Sequence, residues 1–181
     1  MFKETDLFEG TNLIAEAFGA IAVILNFIGY RQQQMNHYLL ISGLALASVS
    51  AHFFLLGNAE AAGIGCALAS VRNFVALKYR GKRVLALFVL ANIGFFFYEW
   101  FYLDSAWIIV IAYTSSLIFT VGSILLTSAA RMRQWFILAE VLGLTFAILV
   151  GSIFGTIFNI TNLTSILMTL FKDFKNTKQN V

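Results

Sequence analysis

The chain contains no proline and one cysteine, and only 12% of its 181 residues are charged. Each shortage excludes something. Without proline, no helix is broken by a ring that removes a backbone donor and clashes with the preceding turn. A single thiol, Cys66, forms no internal disulfide, and no metal-ligand spacing surrounds it. It reads as a small buried filler in an apolar run. A soluble domain carries about a quarter of its residues charged. This chain is instead 60% hydrophobic, with a mean hydropathy of +0.83. So many apolar residues must cover the outside as well as fill a core, and lipid is the solvent that accepts such an outside. The formal net charge of +3 is too small to point to nucleic acid. No phosphate loop, zinc motif or Ser–His–acid spacing appears, so no enzyme activity, metal or cofactor is expected.

A helix crosses the hydrocarbon core with roughly 20 apolar residues. Seven stretches qualify: Asn12 to Tyr30, Asn36 to Leu56, Glu60 to Leu77, Val84 to Tyr102, Trp107 to Thr127, Gln134 to Val150, and Gly155 to Phe171. The breaks between them are short and polar, such as Arg31-Gln32-Gln33-Gln34 and Leu103-Asp104-Ser105. Such loops join antiparallel neighbours. The breaks at Gly57-Asn58 and Gly151-Ser152 rest on glycine and small polar residues alone. The acidic leader carrying Glu4, Asp6 and Glu9 does not resemble the basic start of a cleaved signal peptide. A transmembrane β-barrel needs alternating polarity, and Leu142 to Val150 does not alternate.

Seven crossings sort the charges. Arg31, Lys78, Arg80, Lys82, Arg83, Arg131, Arg133, Lys172, Lys175 and Lys178 fall on one side, ten of the twelve basic residues. Glu4, Asp6, Glu9, Glu60 and Asp104 fall on the other, with Lys3. Positive loops stay cytoplasmic, so the N-terminus is expected outside and the C-terminus inside. Tyr98, Trp100, Tyr102 and Trp107 would anchor the outer interface, and Tyr30, Tyr38, Tyr79 and Trp135 the inner one. Leu55-Leu56-Gly57 and Leu149-Val150-Gly151 also match at an offset of 94 residues, which pairs Lys78 with Lys172. Two halves of like orientation are therefore expected, 12–77 and 107–171, with 84–102 as a crossing helix and 172–181 as a cytoplasmic tail.

The chain resembles a known family on three stretches: Ala51-His52-Phe53-Phe54-Leu55-Leu56-Gly57, Val71-Arg72-Asn73 before a basic loop, and Gly151-Ser152-Ile153-Phe154-Gly155-Thr156. These look like the YgjV family of bacterial inner membrane proteins, from about residue 22 to 172. That family is grouped with the SWEET, PQ-loop and nicotinamide-riboside (PnuC) transporters. The resemblance implies an all-α membrane fold of two three-helix bundles joined by a linker helix, with a substrate path between them. It also implies that polar residues of spans three and seven line the pocket, here Asn73 with Asn159 and Asn162. The chain departs from the PQ-loop pattern in having no proline, with Arg31-Gln32 as its nearest analogue.

Ionisable residues inside a span are costly and mark function. Arg72 and Glu140 fall at nearly the same depth in spans three and six, so a charge pair between the halves is one expectation, and snorkelling of Arg72 to the headgroups is the other. Glu16 and His52 form a second candidate pair, for proton coupling. A plain helix-to-helix hydrogen bond competes with that role, and Glu99 reads as solvated. Asn26 and Asn92 should face the bundle, and the glycines 57, 63, 65, 143, 151 and 155 should allow close helix approach. The expected function is passage of a small polar solute by alternating access. The competing class is a receptor, sensor or assembly module, whose interior would be packed dry. The expected partners are the bilayer and a small polar solute, with self-association left open.

Overall fold

A computed structural model describes residues 3–57, 60–102 and 107–179, with side chains given for 13–57, 62–102 and 107–175. Those residues form seven helices and no strand: α1 (Lys3–Gly29), α2 (Met35–Leu56), α3 (Glu60–Lys78), α4 (Lys82–Tyr102), α5 (Ile109–Leu125), α6 (Ala129–Leu149) and α7 (Ile153–Gln179). Helices satisfy their own backbone donors and acceptors, the condition for a chain with lipid outside. By length and composition, four segments can cross a membrane: Met35–Leu56, Lys82–Tyr102, Ala129–Leu149 and Ile153–Lys175. Leu13–Gly29, the part of α1 with described side chains, and Ile109–Leu125 are apolar but shorter. The helix carrying Arg72, α3, falls outside both groups.

Two ends of the bundle differ in kind. Arg133, near the start of α6, meets the end of α1 and Asp173 near the end of α7. Arg80, just after α3, meets Asn36 at the start of α2. The basic connections therefore gather at one end. At the other end His52 of α2 meets Phe154 of α7, and Tyr113 of α5 meets Glu99 of α4. The side chains of Glu4, Asp6, Glu9, Glu60, Asp104 and Lys178 lie outside the described residues.

Within the bundle α2 packs between α1 and α3, and α6 between α5 and α7. The two triplets touch along two seams, α1 against α7 and α3 against α5, while α4 lies mainly against α5. The outer surface is apolar: Leu13, Leu87, Ile153 and Phe171 are among its most exposed side chains. The inside is rich in polar groups, including Asn26, Ser42, Asn73, Thr120, Glu140 and Asn162. With lipid outside, helix association rests on close packing and interhelical hydrogen bonds.

Several local features depart from the sequence reading. Helix α6 starts at Ala129, so Arg131 and Arg133 belong to its first turns and not to a loop. Helix α7 runs on to Gln179, so the expected tail from residue 172 continues the helix. Gly57 and Gly151 do not mediate close approach, since nothing lies within 4 Å of a Cβ placed on either. They sit at φ 70° and 72°, in the left-handed region that favours glycine, and end α2 and α6. Ser152 then accepts the Gly155 N–H at 3.0 Å and caps the start of α7.

Gly65 is likewise open, whereas Gly63, Gly143 and Gly155 do meet close neighbours as expected, and Gly122 on α5 is tighter still. A Cβ there would overlap the Phe136 ring of α6 and come within 2.8 Å of Trp135. Gly122→Ala is expected to lower stability by about 1–3 kcal/mol through overpacking. Gly65→Ala, with nothing within 4 Å of its Cβ, should leave it nearly unchanged. Unfolding midpoints in a denaturing-detergent titration check the contrast, and equal shifts for the two variants would contradict it.

Candidate functional site

A cavity of about 590 Å³ opens between the two triplets. Its walls come from α1 to α7 and carry many aromatic rings, among them Phe53, Phe88, Phe95, Phe119, Phe146 and Phe158. Ala62, Glu99, Val150 and Ser152 line it at the end away from the basic connections. Tyr30, Tyr38, Arg72 and Glu140 line it deeper in.

Below those residues the bundle closes. The rings of Tyr30 and Tyr38 lie 5.3 Å apart, Tyr38 and Phe136 5.9 Å, and Phe119 and Phe136 4.7 Å. Met35, Leu39, Ile124 and Met132 pack with them. This plug corrects one expectation: Tyr30 and Tyr38 are 1% and 2% exposed, so they are not interfacial anchors. Tyr79 and Trp135 are exposed, as anchors would be.

Beneath the plug lies Arg133, which is 0% exposed. It donates to the Tyr30 carbonyl at 3.2 Å, the Gln32 carbonyl at 2.8 Å and Asp173 Oδ2 at 3.0 Å. The carbonyls at the end of α1 lack helical partners, and a cation there also suits the helix dipole. Among the described residues this is the only ion pair, joining α1, α6 and α7 at the basic end.

Glu140 is 2% exposed. It accepts the Tyr30 hydroxyl and the Asn162 amide, the latter at 3.1 Å to each carboxylate oxygen. Asn162 in turn accepts from Asn26 Nδ2 at 2.9 Å. This chain ties α6 to α7 and α7 to α1. Arg72, 4% exposed, donates from Nε and Nη2 to Asn73 Oδ1 at 3.2 Å and from Nη1 to Thr120 Oγ1 at 3.0 Å. Asn73 donates to Ser42 at 3.2 Å, and Ser116 donates to Asn92 beside Thr120. This second chain ties α2 to α3 and α3 to α5.

The structure therefore brings most of the expected residues to one place but pairs them differently. Arg72 and Glu140 face the same cavity without forming an ion pair. Each is held by amides and hydroxyls of its own seam, which satisfies the buried polar atoms without bringing the two charges together. Snorkelling is also not seen, since Thr120 and Asn73 hold the guanidinium inside. Asn159 lines the cavity and donates to the Gly155 carbonyl at 2.7 Å. Asn73 and Asn162 stand behind the wall, each bonded to a charged residue that lines it.

The Glu16–His52 pairing does not form. Glu16 is exposed, whereas His52 Nδ1 lies 2.7 Å from the Ala15 carbonyl and its ring stacks on Phe154 at 4.4 Å. Glu99 is also not simply solvated: it accepts the Tyr113 hydroxyl at 2.8 Å and lines the cavity. Cys66 is half-buried and lines the cavity, so it is not core filler. Asn26 and Asn92 do face the bundle, each 4% exposed.

Sequence reasoning missed Tyr30, Tyr38, Thr120 and Arg133. Helical spacing held part of the signal. Arg133, Phe136 and Glu140 recur at intervals of three and four, so they share one face of α6, and Asn26 and Tyr30 share one face of α1. No curated protein and no solved structure matches the chain. A family model, Imp-YgjV, described as a bacterial inner membrane protein, matches residues 13–177. With that match covering most of its length, this chain belongs to the Imp-YgjV family of bacterial inner membrane proteins.

Proposed function

We propose that the chain is a carrier for a small polar solute, working by alternating access, with no chemistry performed on the solute. The observation that carries this reading is a cavity between two helix triplets, lined by Ala62, Glu99 and Ser152 toward one end and closed by the aromatic plug at the other. A volume of about 590 Å³ suits a small-molecule site. The seal has two layers, the aromatic plug and the Arg133–Asp173 pair. A dry scaffold would not keep Arg72 and Glu140 against an open space, because buried ions are costly without a use.

In this reading α1–α3 and α5–α7 are two like-oriented halves, α4 is the linker, and all seven helices cross the membrane in a SWEET-like 3+1+3 plan. Internal symmetry supports it. Gly57 and Gly151, 94 positions apart, take the same left-handed turn. Exchanging halves carries α1 onto α5 and α7 onto α3, so it carries one observed seam onto the other. Asn26 and Thr120, also 94 positions apart, each bridge a seam, to Asn162 and to Arg72. The gathered basic residues put the sealed end in the cytoplasm and the cavity mouth outside, by the rule for positive loops. The N-terminus is then outside and the C-terminus inside.

The native Cys66 is a reporter for this cycle, being the only thiol in the chain. In sealed vesicles, a membrane-impermeant thiosulfonate should modify Cys66 from the outer face only. Arg133→Gln, which weakens the inner latch, should raise modification from the cytoplasmic face by roughly tenfold. A Cys66 protected from both faces in both proteins would mean a closed interior and would end the carrier reading.

A further inference from the structure

Resting on the carrier reading, we infer that the cavity takes a dipolar solute of amino-acid-like chemistry. Its cationic or N–H-rich group sits at the Glu140 wall, its carboxylate or other acceptor at the Arg72 wall, and a flat apolar body lies between them. The two polar seams have opposite hydrogen-bonding sense. At the α1/α6/α7 wall the sense is set by Glu140, which accepts from both of its partners, the Tyr30 hydroxyl and the Asn162 amide. Asn162 must therefore turn its Nδ2 to Glu140, which leaves its Oδ1 to accept from Asn26 Nδ2. That fixes Asn26 in turn and leaves its Oδ1 without a partner, although the residue is 4% exposed and lines the cavity. A buried acceptor with no donor is costly, and it adds to the accepting character of this wall.

The α3/α5 wall is the reverse. A guanidinium only donates. It fixes Asn73 with Oδ1 toward Arg72 and Nδ2 toward Ser42. Beyond the bonds to Asn73 and Thr120, Arg72 has N–H groups to spare and no carboxylate beside it. One cavity thus has an accepting wall at Glu140 and a donating wall at Arg72, neither paired with the other. Buried acceptors and donors that face one cavity without meeting are suited to a solute that completes both. Phenylalanines recur in the lining, Phe88, Phe95, Phe119 and Phe146 among them, which favours a planar body that stacks on ring faces.

Four probes with one indole ring test this on the full chain in nanodiscs: tryptophan with both charges, tryptamine with the amine only, indole-3-propionate with the carboxylate only, and tryptophol with neither. Equilibrium binding should fall in that sense, with tryptophan tightest, tryptophol weakest, and each missing charge costing roughly ten- to a hundredfold. Glu140→Gln should bring tryptophan and indole-3-propionate to similar affinity. Arg72→Gln should do the same for tryptophan and tryptamine. Each result is a ratio between two probes on one protein, so general damage to the fold lowers both and leaves the ratio alone. If a variant does not fold, the order on the unaltered protein decides by itself. Tryptophol binding as tightly as tryptophan, ratios untouched by either substitution, or no binding of any probe would each overturn the inference. The Cys66 experiment needs no solute. A protein that changes its open face yet ignores the indoles keeps the carrier reading and loses this one.

Discussion

Arg133→Leu is expected to destabilise the protein by roughly 2–4 kcal/mol, among the largest effects of any single substitution outside the cavity. The side chain is fully buried and is the largest such group among the described residues. Its loss removes three charge-assisted hydrogen bonds at once. The Tyr30 and Gln32 carbonyls cannot recover partners from their own helix, because they lie beyond its last turn. Asp173 is 31% exposed at its side chain and also accepts from Gln33 Nε2 at 3.4 Å, so its charge keeps hydration and a partner, and the cost stays below that of a fully buried pair. Arg133→Lys keeps the charge but not the planar fork, and one ammonium cannot serve three divergent acceptors as well. It should fall between the two. Asp173→Asn should cost about 1 kcal/mol or less, since it leaves the carbonyl bonds in place. Detergent-unfolding midpoints for the three variants check the order. A Leu variant as stable as the parent would show that the latch contributes nothing.

Glu140→Gln should separate stability from function. Replacing the carboxylate by its neutral isostere keeps the shape and the bond from Tyr30, and it weakens one of the two contacts with Asn162. It also removes an ionisable group from a place with no cation beside it, which relieves the desolvation that burial imposes on its charged form. The unfolding midpoint should therefore hold or rise, and membrane insertion should be intact. Uptake into proteoliposomes, of whichever compound stabilises the purified protein, should fall by roughly tenfold or more, as expected when a charged hydrogen bond to the solute is lost. Glu140→Leu should lose both, because the Tyr30 hydroxyl and the Asn162 amide are then left unsatisfied. Unchanged uptake in the Gln variant would remove Glu140 from the mechanism. A drop in uptake matched by an equal drop in stability would assign it a structural role only.

The membrane class, the helical content and the family were legible before any coordinates, because they follow from quantities that add along the chain. Apolar length, absent proline and the run Ala51-His52-Phe53-Phe54-Leu55-Leu56-Gly57 needed no knowledge of neighbours. The burial of Asn26, Asn92 and Asn162 was legible too, since an amide is too costly to leave in lipid. Partners were not legible. Arg72 and Glu140 share a depth and a cavity, and depth suggested that they meet. Thr120, Asn73, Tyr30 and Asn162 decided otherwise by offering nearer acceptors and donors. Tyr30 read as an interfacial anchor and Arg133 as a charge in a cytoplasmic loop, because each lies at the inner end of a span. Which way they turn depends on the helix packed against them.

The sequence alone determined that this protein is a helical bundle with an apolar outside and its positive charge drawn to one end. Those are properties of composition and order, fixed by the cost of polar backbone and charge in hydrocarbon. The tertiary structure alone decided which polar side chains meet, where the bundle stays open, and that the basic end is locked by a buried arginine beneath an aromatic plug. Such choices depend on angstrom-scale distances between segments more than a hundred residues apart, and no local pattern encodes them.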